Sequence, residues 1–104
     1  MSGKDLLSAV SENAGKIFSA DLEIQNQKGL HARAAAAFVK CAEQFDADVR
    51  VERIGQSVSG CSIMGLMMLA AAKGTTIHVN VSGPQAEDAL KAISNLVNCK
   101  FGED

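Results

Sequence analysis

Tryptophan and tyrosine are absent from this 104-residue chain and phenylalanine occurs only four times, so it offers no aromatic platform for stacked bases. Its formal net charge is −2, which supplies no bulk attraction toward nucleic acid or an anionic membrane. Long apolar runs are missing as well. Leu6, Leu7, Val10 and Ala14 fall on roughly one side of a helix, but Asp5 and Glu12 interrupt any stretch long enough for a signal peptide or a membrane span. Cys41, Cys61 and Cys99 are odd in number, far apart and outside any C-x-x-C spacing, which argues against a disulfide framework or a zinc site. They are expected to be small buried hydrophobes of a cytoplasmic protein. A metal would also have to use His31 and His78, and nothing in the spacing brings these together, so neither metal nor cofactor is expected.

Hydrophobic residues make up 47% and charged residues 21%, the balance of one ordinary globular domain. From Phe18 the pattern has period two: Ala20, Leu22 and Ile24 alternate with Asp21, Glu23 and Gln25, the signature of a strand with one dry face. Asn26 to Gly29 break it. An alanine-rich helix follows to about Gln44, with Ala35, Phe38, Ala42 and Phe45 facing a sheet and Arg33 and Lys40 outside. Val49 and Val51, the turn Arg53-Ile54-Gly55-Gln56 and a short strand around Val58 read as a hairpin. Ser62 opens a Leu- and Met-rich helix, expected to close near Lys73-Gly74. In the fourth strand Ile77, Val79 and Val81 lie on one face and Thr76, His78 and Asn80 on the other, which puts His78 on the solvent side. Ser82-Gly83-Pro84 turns into a last helix with the apolar stripe Ala86, Ala89, Leu90, Ile93, Leu96 and Val97. The elements predict an α+β fold, βαββαβα: a four-stranded antiparallel sheet covered on one face by three helices, an open-faced two-layer sandwich.

The most informative stretch is Gly29-Leu30-His31-Ala32-Arg33 with the alanines that follow. A helix start has unpaired N–H groups and a positive dipole end, so an anion is favoured there. His31 stands at that point, with the backbone N–H groups of Ala32, Arg33 and Ala34 as candidate hydrogen-bond donors to a phosphate. Imidazole is nucleophilic near neutral pH, and the planar guanidinium of Arg33 matches phosphate oxygens. From spacing alone two readings stay open: a phosphoryl acceptor, or a surface histidine at a helix cap.

These residues resemble the phosphohistidine motif of the HPr family, the phosphocarriers of the bacterial phosphotransferase system. Cys61-Ser62-Ile63-Met64-Gly65-Leu66-Met67-Met68-Leu69 resembles the family's regulatory-serine helix, about thirty residues later. The likeness runs from about residue 17 to the C-terminus, which leaves 1–16 as an extension, loosely ordered or partly helical, and 17–104 as the domain. Ala72-Lys73-Gly74, Ser82-Gly83-Pro84-Gln85 and Phe101-Gly102-Glu103-Asp104 are similar to the nitrogen-branch version, NPr. The family's fold is the same βαββαβα sandwich.

The resemblance implies a phosphocarrier that is not itself an enzyme. It implies that Nδ1 of His31 accepts phosphate from enzyme I and passes it to an enzyme IIA, with Arg33 as clamp. Ala34 stands where many members have proline, which restores one N–H near the phosphate. Ser62 reads as a helix N-cap, and the resemblance adds a target of HPr kinase/phosphorylase. It also implies a docking patch of Ile63, Met64 and Met67, with Lys40 nearby on the first helix. Leu66 and Leu69 are expected in the core, and the pattern leaves Met68 open. A monomer without nucleic-acid or membrane partners is expected. The alternatives are a purely regulatory module acting through Ser62 and a small ligand carrier, the second disfavoured by the scattered Cys and His residues.

Overall fold

The computed structural model describes residues 16–103. The expected extension, with its stripe of Leu6, Leu7, Val10 and Ala14, lies outside the described residues except for Lys16. In chain order the elements are β1 (Ile17–Glu23), α1 (Ala32–Ala42), β2 (Asp48–Arg53), β3 (Gln56–Ser59), α2 (Ile63–Met68), β4 (Thr76–Ser82), α3 (Ala86–Asn98) and a 3₁₀ turn (Lys100–Gly102). The strands form one antiparallel sheet in the order β1-β4-β2-β3.

Period two accounts for the two faces of that sheet. Leu22 pairs with Ile77, Ala20 with Val79 and Phe18 with Val81, while Val51 and Val49 meet Val79 and Val81 from the other side. In an antiparallel ladder partners project to the same face, so these side chains make one apolar layer. The helices cover it with Ala34, Ala35, Phe38, Val39 and Ala42 of α1, Leu66 of α2, and Ala86, Ala89, Ile93 and Val97 of α3, all buried. Asp21, Glu23 and Arg50 on the opposite face stay exposed. The β2–β3 hairpin closes through Ile54 and Gly55, whose φ values of 46° and 77° suit the turn that matches strand twist.

Two helix ends differ from the expected ones. α1 stops at Ala42, where the turn tightens: Gln44 N–H donates to the Cys41 carbonyl and Phe45 N–H to that of Ala42. The expected end of α2 near Lys73-Gly74 is corrected to Met68, because Ala70 turns left-handed (φ 52°) and the Arg53 guanidinium takes the Leu69 carbonyl at 3.0 Å. Gly74 serves the sheet end instead, donating to Ile24 O at 2.7 Å while Ile24 N–H donates to Thr75 O at 2.8 Å. The cysteines also depart from expectation: Cys41 is half-buried, and Cys61 and Cys99 are exposed. Cys61 sits in the turn before α2 and Cys99 just past α3, beyond the apolar stripes that the helices bury. Burial still pushes the Cys41 and Cys61 thiols up from their ordinary value.

Candidate functional site

The loop before α1 is pinned by backbone geometry. Gly29 has φ +66°, and a Cβ there would lie 2.4 Å from the Ala71 carbonyl oxygen, so only glycine passes this close. Leu30 is buried and its N–H donates to the same carbonyl at 2.9 Å. With the loop held against the segment after α2, the chain arrives at His31 in an extended conformation, φ −77° and ψ −178°. His31 is the N-cap residue. Its carbonyl accepts the Ala35 N–H at 2.8 Å, while its ring makes no capping bond. The N–H groups of Ala32, Arg33 and Ala34 precede that first helical bond and have no carbonyl one turn back to serve them. The first turn carries no acidic residue to compete for them.

The ring is held from the far end of the chain. His31 Nε2 lies 2.7 Å from Glu103 Oε2, and the two side chains are 28% and 16% exposed. Asn26, wholly buried, donates from Nδ2 to the Gly29 carbonyl at 2.8 Å and to Glu103 Oε1 at 3.0 Å. It therefore ties the tail to the loop that carries His31. Its Oδ1 is buried and accepts no hydrogen bond from the described residues. The Asn26 amide holds the Glu103 carboxyl below the usual range, aided by His31 and Arg33 against the opposing effect of desolvation.

Glu103 reaches this place through an unusual stretch of backbone. Lys100, Phe101 and Gly102 have φ values of 58°, 56° and 75°, three left-handed residues in succession. For Lys100 and Phe101 that costs about 1–2 kcal/mol each. Burial of the Phe101 ring, worth about 1.5–3 kcal/mol, offsets much of it.

Gln27, Lys28, His31, Arg33, Gly102 and Glu103 line an open cleft of about 370 Å³. Arg33 is exposed and makes no hydrogen bond to the described residues. The structure thus brings His31 and Arg33 to one cleft, at the helix start where the N–H groups of Ala32, Arg33 and Ala34 have no helical partner. Asn26 and Glu103 are additions the sequence analysis missed. Asn26 reads as a strand breaker, and Phe101 near the chain end is the one hint that the tail docks.

The other expected residues lie on α2 or on the outside of α1. Ser62 caps α2, its Oγ accepting the Gly65 N–H at 2.9 Å. Ile63, Met64 and Met67 are exposed and Leu66 and Leu69 buried, as expected, and Met68 proves exposed too. Lys40 is exposed on α1, which packs against α2. His78 lies on the open face, bonded through Nδ1 to Asp21 at 2.5 Å, which raises its pKa. No cluster able to hold a metal ion occurs among the described residues, and no described helix is long and apolar enough to cross a membrane.

The family model described as "PTS HPr component phosphorylation site" matches residues 18–98. The chain is 49% identical over 82 residues to the phosphocarrier protein HPr of Neisseria meningitidis serogroup A, covering 79% of this chain and 92% of that one. It is 49% identical over 84 residues to HPr of Pseudomonas aeruginosa, covering 80% and 93%. Among solved structures, HPr-C-His from Thermoanaerobacter tengcongensis superposes with a TM-score of 0.80 at 39% identity, covering 84% of this chain and 98% of that one. A phosphocarrier protein HPr from Bacillus anthracis gives 0.75 at 38% identity, covering 78% and 96%. With the family model covering all of the sandwich but Ile17 and the helix start at His31 within it, the chain belongs to the HPr family, the phosphocarrier components of the phosphotransferase system.

Proposed function

We propose that His31 is the phosphoryl acceptor, loaded by enzyme I and unloaded by an enzyme IIA. The observation that supports this best is the place of His31 at the N-cap of α1 with its ring free of capping duty. A phosphoryl group on Nδ1 would sit near the positive end of the helix, each stabilising contribution amounting to about 0.3–1 kcal/mol where solvent is close. Such a grip is weak enough to release. Arg33, exposed and in the same cleft, pairs with the phosphate while it resides. The phosphoimidazole keeps a high transfer potential because its nitrogen leaves readily.

The acceptor belongs to the sugar or the nitrogen branch. Similarity of the Phe101-Gly102-Glu103-Asp104 tail to NPr favours the nitrogen branch. Ile63, Met64 and Met67 form the docking patch with Lys40, and exposed thioethers suit a surface that repacks against several partners. Phosphorylation of Ser62 by a kinase of the HPr kinase/phosphorylase type would add about −1.5 to −2 charges beside that patch. Because the charge falls on a helix N-terminus, the fold tolerates it and docking suffers.

Incubation with enzyme I and phosphoenolpyruvate tests the assignment. Acid-labile label is expected on the wild type, none on His31→Ala, and full label on His78→Ala. Phosphoryl uptake by folded His31→Ala would sink it, and a supply of sugar- and nitrogen-branch IIA proteins would show which one drains the label.

A further inference from the structure

The contact between His31 and Glu103 joins residues 72 apart in sequence. Three features maintain it: the buried Phe101 anchor, the run of left-handed residues that follows α3, and the Asn26 amide that fixes the other carboxylate oxygen. A tail without a task at the ring would not need its carboxylate so positioned. Among the described residues, the charged groups around the ring are Glu103, Lys28 and Arg33. An ionised carboxylate can only accept hydrogen bonds, so the proton of a neutral His31 ring belongs on Nε2, and the lone pair is left on Nδ1.

Resting on the carrier reading of His31, we propose that Glu103 is a positioning residue for phosphoryl transfer: it keeps the ring proton on Nε2 in the free and the phosphorylated carrier. In loading, the Nδ1 lone pair forms the N–P bond, and the bond from phosphorus to the donor breaks with its electron pair going to the donor. The ring becomes a phosphoimidazolium that retains its Nε2–H, and its new positive charge faces the Glu103 carboxylate. In unloading, the N–P bond breaks, the pair returns to Nδ1 and a neutral imidazole leaves. No proton has to move in either direction. The carboxylate thus favours the protonated phosphoimidazole, the form with the better leaving group, in the way the buried aspartate of a Ser-His-Asp triad orients its histidine and stabilises the imidazolium.

Glu103→Gln tests the role in the full chain. Its carbonyl oxygen remains the partner of Asn26, which turns its NH₂ toward Nε2 and favours a proton on Nδ1. Three results are expected: ring ¹⁵N shifts moving toward the Nδ1–H tautomer, loading by phosphorylated enzyme I at least about tenfold slower, and the alkaline limb of the unloading rate moved to lower pH. The tautomer is the readout that mere loosening of the tail would not move, because only a side chain donating to Nε2 favours the proton on Nδ1. Glu103→Ala, unable to donate, should leave the tautomer nearer the wild type yet show the same shift of the alkaline limb. A wild-type tautomer together with a wild-type pH profile in Glu103→Gln would overturn the role of Glu103 while the wild type still takes label. Absence of label on the wild type itself would overturn the carrier reading and this inference with it.

Discussion

Replacing Gly29 by alanine separates two costs that the structure makes unequal at different glycines. At Gly29 the new methyl would have to lie 2.4 Å from the Ala71 oxygen and 2.9 Å from Ala72 Cα, both backbone atoms that cannot rotate aside. Its φ of +66° adds the left-handed penalty, about 1–2 kcal/mol. Forcing a methylene into packed surroundings adds about 1–3 kcal/mol, which brings the expected loss to about 2–5 kcal/mol. Gly74, at φ +89°, has nothing within 4 Å of the equivalent position, so Gly74→Ala should lose only the conformational part. Urea unfolding of both variants measures the difference. With a slope of about 1–3 kcal/mol per molar, Gly29→Ala should bring the midpoint down by about 1 M or more and Gly74→Ala by clearly less. Because the Leu30 N–H shares the Ala71 carbonyl, displacement of the loop also shifts His31, and phosphoryl acceptance should fall further than the folded fraction does. Equal midpoints for the two variants would refute the reasoning, since the close approach to Ala71 would then cost nothing.

Arg33→Lys should slow transfer with little change in stability, because an exposed point charge cannot reproduce the bidentate match to phosphate oxygens; unchanged rates with both partners would count decisively against a clamp. Ser62→Asp should hold or slightly raise the melting temperature, since a carboxylate can take over the cap to Gly65 N–H. It should weaken enzyme I binding by about 1–3 kcal/mol, about fivefold to 150-fold, and calorimetry giving equal affinities would reduce Ser62 to a cap. The His78–Asp21 pair raises the histidine's pKa, so its contribution is fully present below the unfolded value of 6.5 and is lost as pH rises through the higher folded value. Asp21→Asn should therefore reduce stability more at about pH 5 than at about pH 9, and the reverse order in urea midpoints would contradict the pairing. Glu103 has the opposite sign: its lowered pKa stabilises above 4.5, and that contribution fades as pH falls through the folded value.

Interactions between near neighbours were the legible part. Alternation at Ile77, Val79 and Val81, helical spacing at Phe38 and Ala42, and the glycine break before His31 each express a preference satisfied within a few residues, so each could be read without knowing the partner. The same holds for Ser62, whose cap bond spans three residues. The motif at Gly29-Leu30-His31-Ala32-Arg33 carried the family and the candidate site because its features are local: a turn, an imidazole and the open N–H groups of the helix it begins.

Distant contacts decided the rest. The end of α2 depends on Arg53 reaching the Leu69 carbonyl across 16 residues and on Ala70 turning left-handed, neither of which a capping pattern announces. Cys61 and Cys99 look apolar in composition, yet they fall beyond the helix stripes and are exposed. Asn26 meets Glu103 across 77 residues only after the sheet and α3 have packed and Phe101 has found its place in the core. By itself the sequence determined the elements, their dry faces and the helix start at which His31 stands, because those follow from short-range periodicity and backbone chemistry. The carboxylate that holds the His31 ring was decided by tertiary structure alone, since the burial that offsets the left-handed turn of the tail exists only in the folded chain.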